Sequence, residues 1–394
     1  MKSRARRPCY LLFVGDSKES SVRIGVDISP LIPGRTGVGN YVFYLLKNML
    51  PLAADDEFIG FAATLSHLEL DGLDKRLQVR HLKVPTRALY AIWRAGNFLP
   101  VEKFTGDVDL FHATNYFLPP TRIAKRVVTI HDLSFMVVPQ YCSPRIVRPF
   151  AAGINAFAHD SDRIIAYSES TKKDIVSILG VPESKISVIH MAVDDEFGSS
   201  PEDADWLEQT HQVGRPYVLF VGMLEPRKNV PAILRAFNAV KKVFPHQLVL
   251  VGDRGWMYEE IFRLRDELGL GDRVRFIGFV RHDKLAAFYR NADLFVFPSF
   301  YEGFGLPVLE AMRCGCPVIT ARNSSLTEVG GAAALYVDAA DWESLAGQMK
   351  TVLTDESLRD RLSREGPQQA AKFSWKRSAA QTLDLYRELV GDTQ

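Results

Sequence analysis

The chain has 394 residues, 47% of them apolar and 24% charged, with a net charge of +1. That length exceeds one ordinary domain and supplies two cores. The charge balance argues against nucleic acid as the main partner; the slight basic excess of the N-terminal half suits contact with an anionic membrane surface, and no stretch has the ~20 apolar residues of a membrane span.

The first residues set Lys2, Arg4, Arg6 and Arg7 ahead of Cys9-Tyr10-Leu11-Leu12-Phe13-Val14. This mimics a secretory signal, but the apolar run is short and ends at Gly15-Asp16 without a small-residue cleavage site. Residues 1–20 therefore read as an extension ahead of the fold. From there, short apolar runs alternate with helical stripes. Strands are expected at 22–26, 58–62, 110–112, 127–130, 164–167 and 188–189, then at 217–221, 248–251, 274–277, 294–297, 318–320 and 335–337. Between them, Leu45, Leu46, Met49 and Leu50 form one helical stripe, and Ile233, Ala236, Phe237 and Val240 another. Such alternation predicts parallel sheets with helices on both faces. The period lapses over residues 194–203 and then starts afresh. Two Rossmann-like domains are expected, over 21–196 and 204–373, with a last helix in 374–394 capped by Ser374.

In open parallel sheets, ligands sit beyond the carboxyl ends of the strands. The first such junction is Ser29 to Tyr41, where Gly37 and Gly39 permit close backbone approach. It lacks the lysine of a Walker A loop, and Val42 stands where a full GxGxxG would have its third glycine. No acidic residue follows about 20 positions later at the end of the second strand, which argues against an NAD-dependent oxidoreductase. Residues 85–94 mix Arg87 and Arg94 with Tyr90 and Trp93. They read equally as an interfacial helix meeting lipid-linked acceptors and as a helix packed on the sheet.

Asp107-Val108-Asp109 has the spacing of a carboxylate pair that holds Mg²⁺ or Mn²⁺ against a diphosphate. Asp109 leads straight into a buried strand, so no metal site is expected. His131 follows Val127-Val128-Thr129-Ile130, at the carboxyl end of a strand, where a neutral imidazole can bond a sugar hydroxyl. His112 has a similar place with less support. Cys9, Cys142, Cys314 and Cys316 lack the spacing of a zinc knuckle and read as reduced thiols.

Arg227 and Lys228 stand between a strand and a helix, where a guanidinium and an ammonium can hold a diphosphate. The strand at 294–297 leads into Glu302, Gly303, Phe304 and Gly305, then a helix that opens with Leu306-Pro307 and carries Glu310. Proline fits the first turn of a helix. A flexible loop at a helix N-terminus suits a phosphate. Carboxylates beside a phosphate are costly unless they bind hydroxyls, as sugars and ribose provide. The stretch reads as a nucleotide-sugar site.

Glu302 and Glu310, with seven residues between them that include Gly303-Phe304-Gly305-Leu306-Pro307, form a Glu-x7-Glu signature. It resembles that of the retaining glycosyltransferases of family four. The resemblance implies an α/β, GT-B architecture: two Rossmann-like domains facing a cleft, with the last helix crossing back to the first domain. It implies transfer of a sugar from a nucleoside diphosphate to a hydroxyl of a growing glycan, with no cofactor and no metal. It places Gly37 and Gly39 at the donor phosphates and His131 against the donor sugar. It places Gly303, Phe304, Gly305 and Leu306 around the donor. Glu302, ahead of the loop, is expected to face the sugar, and Glu310, one turn into the helix, to reach ribose hydroxyls. Met223 stands where the family often has an arginine, so Arg227 is expected to take that role beside Lys228. The segments Thr36–Tyr41, His131–Phe135 and Leu224–Asn229 most resemble mannosyl- and rhamnosyl-type enzymes of O-antigen and exopolysaccharide assembly. GDP-mannose is the first donor expected. A UDP-hexose enzyme and a non-catalytic nucleotide-sugar binder are the alternatives. The expected acceptor is a glycan, lipid-linked, met in the cytoplasm at the inner membrane surface.

Overall fold

The structure, a computed structural model, describes residues 21–35, 37–95, 98–198 and 204–391. The extension expected over 1–20 lies outside them. The chain forms two all-parallel sheets. The first has seven strands in the order β3-β2-β1-β4-β5-β6-β7, namely β1 Arg23–Asp27, β2 Glu57–Ala63, β3 Gln78–Leu82, β4 Leu110–Ala113, β5 Lys125–Ile130, β6 Arg163–Ala166 and β7 Ile186–Val188. The second has six in the order β10-β9-β8-β11-β12-β13, namely β8 Tyr217–Val221, β9 Gln247–Val251, β10 Val274–Gly278, β11 Leu294–Phe297, β12 Val318–Ala321 and β13 Leu335–Val337. Every residue of β8 and β11 is buried. Helices cover both faces, which is why these strands read as unbroken apolar runs.

Two strands depart from the expectation. β3 was not anticipated, because Gln78, Arg80 and His81 leave it only Val79 and Leu82 as apolar residues. It is a half-exposed edge strand, held by its pairing with β2 rather than by core burial. β7 begins two residues before the expected position, with Ile186 supplying its buried side chain.

The last helix, Trp375–Gly391, returns to the first domain and packs along the helix Gly37–Leu52. Trp375 stacks on Tyr44 with ring centroids 5.9 Å apart. The Tyr386 hydroxyl meets His112 Nδ1 at 2.6 Å inside the first domain. Ser374 Oγ accepts from the Arg377 amide at 3.5 Å, too long to anchor the helix as a cap. Other bonds join the halves near the carboxyl ends of the strands. Gly303 O accepts from Ser168 Oγ at 2.8 Å, Tyr301 donates to Asp174 at 2.5 Å, and Glu328 meets His190 at 2.6 Å.

Candidate functional site

After β8, a 3-10 turn at Pro226–Lys228 aims two cations at the end of β11. Lys228 Nζ lies 2.6 Å from Glu302 Oε1, and an Arg227 guanidinium nitrogen lies 3.1 Å from Glu302 Oε2. Ser299 Oγ donates to Glu302 Oε1 at 2.6 Å. Arg227 also bonds Glu225 at 2.9 Å and the Tyr301 carbonyl at 2.8 Å. Lys228 and Glu302 are 9% and 7% exposed, so water screens the cluster little. Burial alone would raise the Glu302 carboxyl, but the charges of Arg227 and Lys228 and the bonds to Lys228 and Ser299 take it down to about 2. Burial and the neighbouring guanidinium push Lys228 below its ordinary value. Glu302 and Lys228, expected at different parts of a donor, are in direct contact. Ser299 and Glu225 were not foreseen, since neither carries a signal apart from its neighbours. Met223 is half-exposed.

The next residue shows why this loop needs glycine. A Cβ on Gly303 would stand 2.2 Å from the His131 carbonyl oxygen and 2.8 Å from Asp132 Cβ. Gly305, at φ +98°, starts the helix Leu306–Arg313, and a Cβ there would meet Leu326 at 2.7 Å. Phe304 is buried against Phe373, so its side chain anchors the loop, and Leu306 is half-buried.

His131, at the end of β5, is packed among the rings of Tyr41, Tyr116 and Tyr167. Its Nε2 has no hydrogen-bond partner among the described residues. Burial lowers its pKa to about 4 against the opposing charge of Asp132, so it is a neutral imidazole with one unused nitrogen, on a residue whose backbone carbonyl lies against the Gly303 loop. His112 is different. It is fully buried and bonded to both Thr129 and Tyr386, and it belongs to the core.

A cavity of about 710 Å³ opens between the domains, walled by Gly34, Arg35, Asn40 and Tyr44 on one side and by Phe279, Arg281 and His282 on the other. His131, Arg227, Lys228 and Glu302 do not line it. Gly37 and Gly39 begin the helix beside its wall; a Cβ on Gly39 would meet the Pro30 carbonyl oxygen at 2.7 Å, whereas Gly37 faces open space. Glu310 lies behind the wall. Its Oε1 is 3.0 Å from His282 Nε2, and its Oε2 accepts from the Tyr289 hydroxyl at 2.8 Å. Glu310, expected to reach ribose hydroxyls, has both carboxylate oxygens engaged by His282 and Tyr289, and nothing in the local sequence singles out His282.

The Asp107 and Asp109 carboxylates are engaged separately. Asp109 accepts from the Arg23 amide at 2.8 Å, and Asp107 pairs with Arg122 at 2.5 Å. Both precede β4 and so lie at the opposite end of the sheet from His131. Among the described residues, no group of three or more His, Cys, Asp and Glu is arranged to hold a metal ion. In the helix Thr86–Ala95, Leu89 and Trp93 are buried while Arg87 and Ile92 are exposed. No described helix is long and apolar enough to cross a membrane.

Residues 35–197 match the family model described as Glycosyltransferase Family 4, and residues 204–369 match that of Glycosyl transferases group 1. The O-antigen chain mannosyltransferase B of Escherichia coli is 32% identical over 284 residues, covering 71% of this chain and 74% of that protein. The serotype-specific mannosyltransferase WbdA of Escherichia coli is 31% identical over 367 residues, 87% of this chain and 43% of the longer relative. Sucrose-phosphate synthase from Thermosynechococcus elongatus has a TM-score of 0.75, covering 94% of this chain and 100% of its own, at 22% identity. HepE from Anabaena, solved with UDP and glucose, has a TM-score of 0.71, covering 93% and 100%, at 18% identity. Identities this low speak to the fold alone.

Proposed function

The chain belongs to glycosyltransferase family 4, and from that membership and the buried ionic cluster we propose that it transfers mannose from GDP-mannose, with retention, to a hydroxyl of a growing polysaccharide of the O-antigen kind. The observation that carries this reading is the pair Arg227 and Lys228 held beside the glycine-led helix Leu306–Arg313. When a sugar leaves a nucleoside diphosphate, negative charge grows on the departing phosphate. A preorganised guanidinium and ammonium stabilise that charge. His131 offers its unused Nε2 to a sugar hydroxyl, and Glu302 holds the two cations in place while facing the same loop. With the diphosphate met by side-chain cations, and Asp107 and Asp109 at the far end of the sheet, the reaction runs without a metal.

Mannose as the sugar rests on the mannosyltransferase relatives; a UDP-hexose donor is the alternative. Thermal shift with GDP-mannose and UDP-glucose decides between them, because a ligand of the folded state raises Tm. The larger shift is expected with GDP-mannose. A larger shift with UDP-glucose replaces the donor, and none with either removes the nucleotide-sugar reading. Transfer unchanged in EDTA and an α-linked product support the metal-free, retaining reaction.

A lipid-linked acceptor fits the outer face of the first domain. Residues 75–101 and 133–159 contain no Asp or Glu. Tyr90 stacks on Phe117 at 4.1 Å, and Phe117 meets Phe150 at 5.2 Å, so the helices Thr86–Ala95 and Pro144–Ala151 lie together. Arg87, Ile92, Phe98, Arg145 and Arg148 are exposed there. Basic and apolar groups on one face suit an anionic lipid surface, on the cytoplasmic side where nucleotide sugars are made.

A further inference from the structure

Sugar transfer needs a group that holds the receiving hydroxyl, and the side chains assigned above hold the donor. One carboxylate beside them has no task. Asp132 follows His131 at the carboxyl end of β5 and lies against the Gly303 loop: a Cβ on Gly303 would stand 2.8 Å from Asp132 Cβ. One phenol pins its backbone, since the Tyr116 hydroxyl accepts from the Asp132 amide and donates to the Asp132 carbonyl, each at 3.1 Å. Asp132 Oδ1 accepts from the Ser134 amide at 2.8 Å, a turn of the kind that Asp and Asn side chains make. Among the described residues no donor is bonded to Oδ2, and that oxygen is not shut off from solvent.

The neighbouring carboxylates are engaged. Glu302 holds Lys228 and Arg227, Glu225 holds Arg227 at 2.9 Å, and Asp174 takes the Tyr301 hydroxyl at 2.5 Å. Among the described residues, Asp132 is the one of these four bonded to no side chain. It is nonetheless close to the cluster. Burial disfavours charge on Arg227, but Glu302, Glu225 and Asp132 hold its pKa above the ordinary value. Burial and then the charge of Asp132 raise Tyr301, the residue before Glu302. A carboxylate oxygen here repels a diphosphate and accepts from a hydroxyl. Asp132 also stands at the head of the acid-free stretch 133–159, which bears the exposed Arg145 and Arg148.

We propose that Asp132 binds the acceptor, its Oδ2 taking the hydrogen bond of the sugar hydroxyl that receives the transferred residue and aiming that hydroxyl at the donor sugar. This rests on the nucleotide-sugar reading. The two carboxylate oxygens have separate tasks: Oδ1 keeps the turn and Oδ2 meets the substrate. The second domain supplies the cations for the diphosphate, and the first supplies the carboxylate for the hydroxyl. In the step itself the hydroxyl oxygen bonds to the anomeric carbon, the bond from that carbon to the diphosphate breaks, and the hydroxyl proton passes to the departing phosphate. Asp132 orients the hydroxyl and leaves the step unchanged.

Asp132→Asn isolates the second task. Its amide oxygen still accepts from Ser134, while an amino group, which only donates, replaces Oδ2. Calorimetry with GDP-mannose and UDP-glucose identifies the bound donor. Transfer from that donor to octyl α-mannoside and octyl β-glucoside, followed as nucleoside diphosphate release above a blank without glycoside, gives KM and kcat for the acceptor. Asp132→Asn should keep the wild-type Tm and raise acceptor KM by at least about tenfold, the scale of one charged hydrogen bond. Donor affinity should not weaken. Asp132→Glu, which keeps a carboxylate on a longer arm, should recover part of the loss. An unchanged acceptor KM in Asp132→Asn overturns the assignment, and so does a loss of Tm or of donor affinity in its place. A wild type that binds its donor but transfers to neither glycoside overturns it too. If neither nucleotide sugar binds the wild type, the nucleotide-sugar reading falls and takes this one with it.

Discussion

Glu302 bridges Lys228 and Arg227, at 2.6 and 3.1 Å, with one carboxylate oxygen on each cation. The residue that the signature places at the sugar is thus also the counter-ion of the two side chains assigned to the diphosphate. An arriving diphosphate competes with Glu302 for the same donors.

Glu302→Gln should separate binding from transfer. Removing the negative charge relieves that competition, so affinity for GDP-mannose should rise by about tenfold, the scale of a charged hydrogen bond. Transfer should fall by at least about tenfold. Lys228→Ala should lower turnover by more than about tenfold, near ~3 kcal/mol of leaving-group stabilisation. Calorimetry beside a transfer assay checks both. Weaker donor binding in Glu302→Gln would show that the carboxylate holds the donor itself.

Gly303→Ala should disable the site without touching a charged group. The new Cβ would lie 2.2 Å from the His131 carbonyl oxygen, and backbone cannot step aside cheaply. Strain of this kind costs ~1–3 kcal/mol. A drop in Tm with at least about a tenfold loss of kcat is expected. A variant of full activity would mean that the His131 segment and the Gly303 loop separate during turnover.

The buried histidines predict an acid limb of stability. Burial pushes His112 down to about 3 and His131 to about 4. Unfolded, each titrates at ~6.5. Between those values the unfolded chain binds protons that the folded chain refuses, so stability falls as pH is lowered from about 6.5 to about 4, by up to ~1.4 kcal/mol per pH unit for each histidine. Glu302, held at about 2, adds its own loss only below the ordinary carboxylate range. Denaturant titrations of wild type and His131→Gln over this range should show a shallower slope in the variant. Equal slopes would mean that His131 takes up its proton in the folded state.

Membrane contact is tested by sedimentation with vesicles of neutral and of anionic lipid. Binding is expected to need the anionic lipid and to fade with salt, as surface electrostatics do. Arg87→Glu together with Ile92→Glu should abolish it and leave transfer to a soluble acceptor intact. Equal binding by wild type and variant would move the contact elsewhere on the molecule.

The two sheets and the Glu302–Glu310 spacing could be read from residue order. Apolar runs such as Tyr217–Val221 and Leu294–Phe297 are local, and their period survives any arrangement of neighbours. β3 escaped because an edge strand with one partner needs little apolar surface, and its pairing is a matter of backbone. Partnerships across long separations had no local trace. Lys228 and Glu302 are 74 residues apart, and His282 and Glu310 are 28 apart. Residue types showed that each could carry charge or bind a hydroxyl. Only packing of the 3-10 turn at Pro226–Lys228 against the end of β11 put the lysine on the carboxylate. Only the junction of the helices His282–Asn291 and Leu306–Arg313 put the imidazole between Glu310 and the cavity. Charge is written into a side chain, but which charge it meets depends on distance, and the folded chain alone sets that.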